Sequence, residues 1–489
     1  MEKPNNTPSA APLSPNKRFL AECEREALHL SGAILPHGAL LVADADGRVV
    51  HASANVGDFL GVAAGDWLGA SLPAHLDRAC SDLPRTPGSR ALIQGEPLDL
   101  LLNRGEGGAI TLEFMAHLPD RNRPNPCPNP SAPGDEAGLA MLQNALVRQI
   151  AELTGFQRVM LYRFREDDDG EVIAEARLGD TYGSYLGLRF PASDIPQIAR
   201  ALYLKNPWRI IPDAAAEPVP VLGVGAAAPD LSHSDLRSVS PLHRVYLANM
   251  GVRASLSFPV VIADRLVALV ACHHASPRQL PLGLIDHAAQ TVRCYAMRLS
   301  AYQAHQRMRR VDSLNHRFAE VAAMLRRHGD LVSAWDELAP WLMKQVGADG
   351  AQVVWGKTLA SHGTCLEAPA LGLLDAWFLN ECGGILWNGD NLVRQVPGYP
   401  LSEVAGVLAL RISRDLRVYL CRTETIHEVA WGGNPDKPVE HHDGSLGIAP
   451  RRSFEKWVEK RLGFSRPWDN EARLLALRLR ELLLKEVRP

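Results

Sequence analysis

The sequence predicts an α+β chain of three domains, each a central antiparallel sheet flanked by helices, with a long connecting helix as a spine. Three observations carry that prediction. At 489 residues the chain exceeds what one hydrophobic core supports and suits about three domains of ordinary size. Short apolar segments that alternate with polar residues recur between turn signals in separate blocks, the mark of half-buried strands. From Ala288 to His328 there is no Pro or Gly, and apolar side chains keep helical spacing over about forty residues, longer than a globular domain usually needs.

Residues 1–20 are polar and Pro-rich, as expected of a disordered arm. In the first domain, 21–118, the segments Ala39–Val42, Val49–Ala52 and Ala109–Phe114 lie among DADG and GEGG turns, which suits a small antiparallel sheet. Residues 119–138 (PDRNRPNPCPNPSAPGDEAG) form a Pro/Asn-rich linker that can be neither helix nor central strand. The second domain, 139–305, opens with a helix over Leu139–Thr154 and strands over Val159–Phe164 and Val172–Arg177. Its last strands, Ser255–Ile262 and Leu266–His273, alternate like a central hairpin. The third domain, 306–489, repeats the order: helix Leu331–Val346, strand Gln352–Trp355, another helix, then strands Val407–Ile412 and Val418–Arg422. A polar excursion over 426–468 precedes a basic helix, Asn470–Val487. Long spine helices often pair, so a homodimer through the spine is expected.

Composition narrows the function classes. A hydrophobic content of 46% with 22% charged residues is ordinary for a well-buried globular protein. A net charge of -3 creates no field that would seek a polyanion, so nucleic acid is not an expected partner. The eight cysteines (Cys23, Cys80, Cys127, Cys272, Cys294, Cys365, Cys382, Cys421) show no CxxC spacing, which argues against a zinc site or a disulfide framework and for a reducing cytoplasm. No secretory signal is visible, and Ala254–Cys272, the longest apolar stretch, is broken by Asp264 and Arg265, so no membrane span is expected.

The chemistry gathers in Phe190–Asp213 (FPASDIPQIARALYLKNPWRIIPD) and Asp230–Val252 (DLSHSDLRSVSPLHRVYLANMGV). These carry Asp194, Arg200, Tyr203 and Arg209, then Arg237, Ser240, His243 and Tyr246. A carboxylate, an imidazole, guanidiniums and phenols in an otherwise apolar domain suit a large flat ligand with carboxylates at one edge and ring nitrogens in the middle. Taken singly, each has a plainer use: Arg237 as a surface cation, Tyr162 as a core aromatic, His273 as a satisfied strand histidine, Cys23 as a small buried hydrophobe. His273 and His274 point to opposite faces of a strand, which argues against a shared metal. Gly223-x-Gly225 opens no helix and runs into Pro229, unlike a dinucleotide loop. No catalytic residue and no metal site are expected.

In the order PASDIP, LRSVSPLH, YLANMGV and ACHH, these motifs resemble the bilin pocket of the phytochromes, and the whole chain resembles a bacteriophytochrome photosensory core of PAS, GAF and PHY domains. The resemblance implies biliverdin IXα, a linear tetrapyrrole, as a covalently attached cofactor. The stretch CEREALHLSGAILPHGALLVAD is similar to the family's attachment region, so Cys23 would form a thioether with the ring A vinyl group, which requires an accessible thiolate. Plant and cyanobacterial phytochromes carry their cysteine just before the pocket histidine; here that position is Leu242. The attachment segment would thread a GAF-domain lasso near Ile34-Leu35-Pro36. By the same resemblance Arg209 and Arg237 clamp the propionates, a task suited to the guanidinium fork. Tyr203, Ser255 and Ser257 complete those hydrogen bonds, and His243 sits over the inner pyrroles with a buried water. Asp194 turns its backbone oxygen to the pyrrole N–H groups and its side chain outward. Ile195 and Ser240 belong to the same cofactor-binding set. Tyr162, Phe190 and Tyr246 wall ring D, the ring that isomerises, and His273 hydrogen-bonds its carbonyl.

The excursion contains WGGNP (Trp431–Pro435) and PRRSFEKWVEKRLGFSRPW (Pro450–Trp468), which resemble the tongue of a PHY domain; a solvated basic loop is the plainer reading. The resemblance implies tongue contacts from Arg451, Ser453 and Trp457, with Arg451 paired to Asp194 in the dark, and refolding on photoconversion. It implies a red/far-red photoreceptor that signals through tongue and spine to a partner or output domain. The last twenty residues read as one helix without a phosphoacceptor or ATP-binding block, so the expectation is a sensor, not an enzyme. The alternatives are the photosensory part of a light-regulated histidine kinase and a GAF-type small-ligand sensor. The latter leaves Cys23, the arginines and the tongue without a role.

Overall fold

The computed structural model describes residues 26–119, 125–225, 227–425, 427–435 and 454–486. The arm 1–20, Cys23, Arg451 and Ser453 therefore lie outside the described residues. The described residues form two compact units: those up to Tyr302 with those of the segment Ala430–Trp457, and those of Gln303–Val429 with those from Val458 on.

The first unit holds two sheets. One has the order β1 (Ala33–Ile34), β11 (Val219–Gly223), β3 (Val49–Ser53), β2 (Gly38–Ala43), β6 (Ile110–Ala116), β5 (Leu98–Arg104), β4 (Arg90–Ile93). Its central strand GALLVA is buried at every position. Ala39, Leu41 and Ala43 pack under the helices α1 (Val56–Leu60), α2 (Ala64–Trp67) and α3 (Ala74–Asp82) in one core, whereas Leu40 and Val42 belong to the core of the neighbouring sheet. A strand covered on both faces reads as a continuous apolar run, not an alternating one.

That neighbouring sheet runs β10 (Arg209–Ile211), β12 (Ala254–Ile262), β13 (Arg265–His274), β7 (Arg158–Phe164), β8 (Gly170–Arg177), β9 (Arg189–Phe190), and continues to β19 (His427–Gly432) and β20 (Lys456–Arg461). Trp431 of β19 pairs in parallel with Arg189. One face packs on helices α4 (Glu136–Thr154) and α7 (Leu282–His328). Helix α4 starts inside the expected linker because Asp135 caps it, accepting from the Gly138 amide, and Gly155 ends it at φ 64°.

Residues 33–35 are hydrogen-bonded along both edges. Ala33 and Ile34 pair with Pro220 and Val219, while the Leu35 amide donates to Leu236 O at 2.7 Å and the Ser238 amide to Ala33 O at 3.0 Å. The chain thus runs between the two limbs of the 219–238 excursion, where the crossing at Ile34-Leu35-Pro36 is expected.

One expectation is corrected. Cys127, in the Pro-rich stretch, is disulfide-bonded to Cys294 on α7, 167 residues away, with Cα atoms 5.7 Å apart. Sequence spacing could not reveal the pair, since the two thiols meet only because the linker runs back along the helix. The Arg298 guanidinium ties the same stretch to α7 through Ser131 O at 2.8 Å.

Helix α7 buries Leu282, Ile285, Ala289, Val292 and Ala296 at helical spacing in the core of the first unit. Its last turns place Val321 and Leu325 in the core of the second unit. There the sheet is β15 (Thr358–Gly363), β14 (Gly350–Trp355), β18 (Leu416–Thr423), β17 (Val404–Arg411), β16 (Leu386–Gly389). Helices α8 (Trp335–Val346) and α11 (Asn470–Glu486) cover one face, α9 (Ala368–Trp377) and α10 (Leu392–Gln395) the other. Among the described residues no helix is long and apolar enough to cross a membrane.

Candidate functional site

Strand alternation builds the site on the free face of the second sheet. Arg209 lies opposite Ser257, Ser257 opposite Ala271, and Ala271 opposite Met160. One rung along, Ile211 faces Ser255, Ser255 faces His273, and His273 faces Arg158. Tyr162 sits across from Leu269. The intervening residues Leu256, Phe258, Val270, Cys272, Val159 and Leu161 point the other way and are fully buried in the core.

These rungs form the floor of a cavity with about 260 Å³ open to the centres of water molecules. Its opposite wall is the short turn Ala192–Asp194, helix α5 (Gln197–Lys205) and helix α6 (Pro241–Asn249). Pro241 at the first turn of α6 fixes how the helix leaves Ser240. Tyr162, Phe190, Asp194, Ile195, Tyr203, Arg209, Arg237, Ser240, His243, Tyr246, Ser255, Ser257 and His273 all line this one cavity. Arg200 does not: its guanidinium donates to Asp168 and to Ile195 O and stacks on Phe164. Trp457 is half-buried on β20, away from the cavity lining.

One end is cationic. Arg237 is buried, and one of its nitrogens donates to Leu231 O and Ser232 O. Arg209 donates to the carbonyls of Asp235, Arg237 and Ser238. Burial, and next the Arg209 charge, push the Arg237 guanidinium down to about 9, and burial likewise lowers Arg209. Two buried like charges side by side favour an anionic ligand group. The Tyr203 hydroxyl and Ser257 Oγ, 2.8 Å apart, stand beside them.

Behind this end lies a buried carboxylate from the first sheet. Glu113 accepts from Ser234 Oγ and from the Asp235 and Leu236 amides, and so holds the segment that leads into Arg237. Burial and then the Asp235 charge raise its carboxyl to about 7. Asp235 is itself paired with Arg90.

The middle of the cavity carries His243, whose ring lies parallel to that of Tyr246 with centroids 5.9 Å apart. The open surface of His243 faces the cavity, and the surrounding protein, then Arg209, lowers its imidazole to about 4. Tyr246 donates to Asp194 Oδ2 at 2.9 Å, and its ring meets Phe454 edge-on at 5.1 Å. Ser240 Oγ donates to Glu26 Oε2 at 2.8 Å, so the first described residue sits in the cavity wall.

At the far end Tyr162, Phe190 and Tyr185 form an aromatic cluster with centroid spacings of 5.5–6.0 Å. Gly170 and Gly432 allow that packing. A Cβ on Gly170 would lie 1.7 Å from Tyr162 Cζ, and one on Gly432 would lie 2.6 Å from the Phe190 ring. The first glycine of WGGNP thus lets the backbone rest on Phe190, and Pro435 of the same motif lines the cavity.

Cationic groups at one end, a neutral imidazole in the middle and aromatic walls fit a flat amphipathic ligand bearing carboxylates. Sequence reasoning missed Met160, Tyr185, Trp208, Met250 and Leu269 in the lining. Met160 and Leu269 were within reach of the alternation rule, two residues from Tyr162 and four from His273. Among the described residues no cluster of His, Cys, Asp and Glu has the form of a metal site.

Three family profiles match in order: PAS fold over residues 23–117, GAF domain over 139–302, and phytochrome region over 314–488. A bacteriophytochrome of Xanthomonas campestris pv. campestris is 33% identical over 508 residues, covering 93% of this chain and 76% of that one. A bacteriophytochrome of Pseudomonas aeruginosa is 34% identical over 490 residues, covering 94% of this chain; the chain spans 66% of that relative's length. The photosensory core module of the Stigmatella aurantiaca phytochrome superposes with a TM-score of 0.80 at 30% identity, covering 95% of this chain and 97% of that one. A crystal structure of a bacteriophytochrome from R. palustris gives 0.79 at 27% identity, covering 96% and 99%.

Proposed function

The chain belongs to the bacteriophytochrome family, and on that premise we propose that it binds biliverdin IXα in the cavity described above, attached through Cys23, and switches between red- and far-red-absorbing states. The observation that carries the reading is that every described residue of the expected cofactor-binding set lines one cavity. Cys23 is three residues from Glu26 in the cavity wall, a span of at most about 11 Å of extended chain.

When bound, biliverdin supplies red-light absorption and isomerisation at its ring D double bond. Arg209 and Arg237, with Tyr203, Ser255 and Ser257, hold its propionates. His243 and the Asp194 backbone oxygen face its pyrrole nitrogens. Ile195 and Ser240 close the pocket, and Tyr162, Phe190 and Tyr246 wall ring D. Arg451 pairs with Asp194 in the dark, with Ser453 and Trp457 as further tongue contacts. Loss of that pair on illumination refolds the tongue, a two-state element, and shifts the spine. The PAS domain with its attachment segment takes in 21–118, the GAF domain 139–305 and the PHY domain 306–489. The chain acts in the cytoplasm as a homodimer through the spine, and signals to a partner or output domain.

The test is an absorption spectrum of the protein mixed with biliverdin, before and after red and far-red illumination, beside Cys23→Ser. A red band that converts reversibly to far-red, with covalent attachment lost in the variant, is expected. No pigment uptake overturns the proposal.

A further inference from the structure

Arg158 heads β7 and is 1% exposed, one of the largest fully buried side chains of the protein. Among the described residues no carboxylate pairs with it, and its buried Nε has no hydrogen-bond partner. Its guanidinium lies 4.3 Å from the ring centre of Tyr182 and 4.0 Å from that of Tyr185. Its Nη2 stands 2.9 Å from Nδ1 of His273, its cross-strand neighbour. A buried cation is costly without a counter-charge, so this one is retained against its desolvation. Cation–π contact with two tyrosines offsets part of that cost.

The hydrogen bond has only one possible sense. A guanidinium donates and never accepts, so His273 Nδ1 is the acceptor and carries no proton. The neutral imidazole then holds its single proton on Nε2, at the opposite edge of the ring. Protonating Nδ1 would break the bond and set a second cation against Arg158. We propose that Arg158 is a positioning residue that locks His273 as the Nε2–H tautomer, so this end of the cavity offers an N–H donor and requires an acceptor oxygen on its ligand. The inference rests on the pigment reading only for naming that oxygen, the ring D carbonyl.

The tautomer can be read without pigment. Long-range proton–nitrogen spectra of the full chain labelled at histidine nitrogens, assigned with His273→Gln, report which ring nitrogen carries hydrogen. Titratable and charged groups near the ring are Arg158, His243 from α6, and Tyr182 and Tyr185 beyond the guanidinium. Wild type and Arg158→Lys are expected to show a protonated Nε2 and a bare Nδ1 from pH 5 to 8. In Arg158→Met, Nδ1 protonation is expected to appear within that range. A protonated Nδ1 in wild type overturns the inference outright, even if the methionine variant does not fold. Identical His273 spectra in wild type and a folded Arg158→Met also overturn it, reducing Arg158 to a packing role. Biliverdin uptake, measured separately on wild type, decides the pigment reading and leaves the tautomer result standing either way.

Discussion

Gly170→Ala places a methyl group where the Tyr162 ring now rests. The new Cβ would lie 1.7 Å from Cζ, 1.9 Å from the hydroxyl oxygen and 2.1 Å from Cε1 of Tyr162. Non-bonded carbons settle at about 3.5–4.0 Å, so the ring must move by about 2 Å. Phe164 and Phe190, with centroids 5.5 and 6.0 Å from it, block lateral escape and leave the cavity as the open direction. Overpacking of this kind costs about 1–3 kcal/mol, which lowers the melting temperature by several degrees. Thermal unfolding of the pigment-free protein measures the loss, and the red-band spectrum after biliverdin loading measures the intruding ring. Tyr162→Leu removes the clash, so the double variant should recover most of the penalty, giving a non-additive cycle. Additive costs, or a Gly170→Ala protein with wild-type melting and spectrum, would refute the packing argument.

Three further outcomes are expected. The Glu113 carboxyl, raised to about 7 in the fold, binds its proton more tightly than in the unfolded chain. Its contribution is therefore full below about pH 4.5 and lost as pH rises through about 7, on the order of 3 kcal/mol; Glu113→Gln should flatten that part of the melting-temperature profile. Arg237→Met relieves a buried like-charge contact, so the pigment-free protein should be no less stable, while pigment affinity falls by roughly ten- to hundredfold with the lost charge-assisted bonds. Equal affinity in an equilibrium titration would contradict the assigned role. Peptide mapping without reductant should recover Cys127 joined to Cys294, and reduction should lower stability by up to about 5 kcal/mol in the chain-entropy account of a 167-residue loop. Free alkylation of both thiols would count against the cross-link.

Much of the sheet architecture was legible. Ser255–Ile262 and Leu266–His273 alternate, and the structure has strands Ala254–Ile262 and Arg265–His274 there, one residue longer at each open end and at Arg265 of the turn. The spine, expected from Ala288, begins at Leu282, since its first turns carry a buried face that periodicity also shows. Strand β5 went unseen, because LDLLL is covered on both faces and loses the alternation that marks a strand. Arg158, Glu113 and the Cys127–Cys294 bond gave no signal, since each takes its meaning from a residue more than a hundred positions away.

The sequence by itself determined which residues share a face, because strand and helix periodicities are local and place Ser255 with Ser257 and Ala271 with His273 wherever the sheet goes. It also determined, through its motifs, the family and the candidate ligand set. Only the tertiary structure decided what stands opposite what: the register that puts Arg158 beside His273, the glycine beneath Tyr162, and the carboxylate of the first sheet behind the arginines of the cavity. Those choices rest on close packing and on the cost of burying an unpaired polar group, which depend on neighbours distant in the chain.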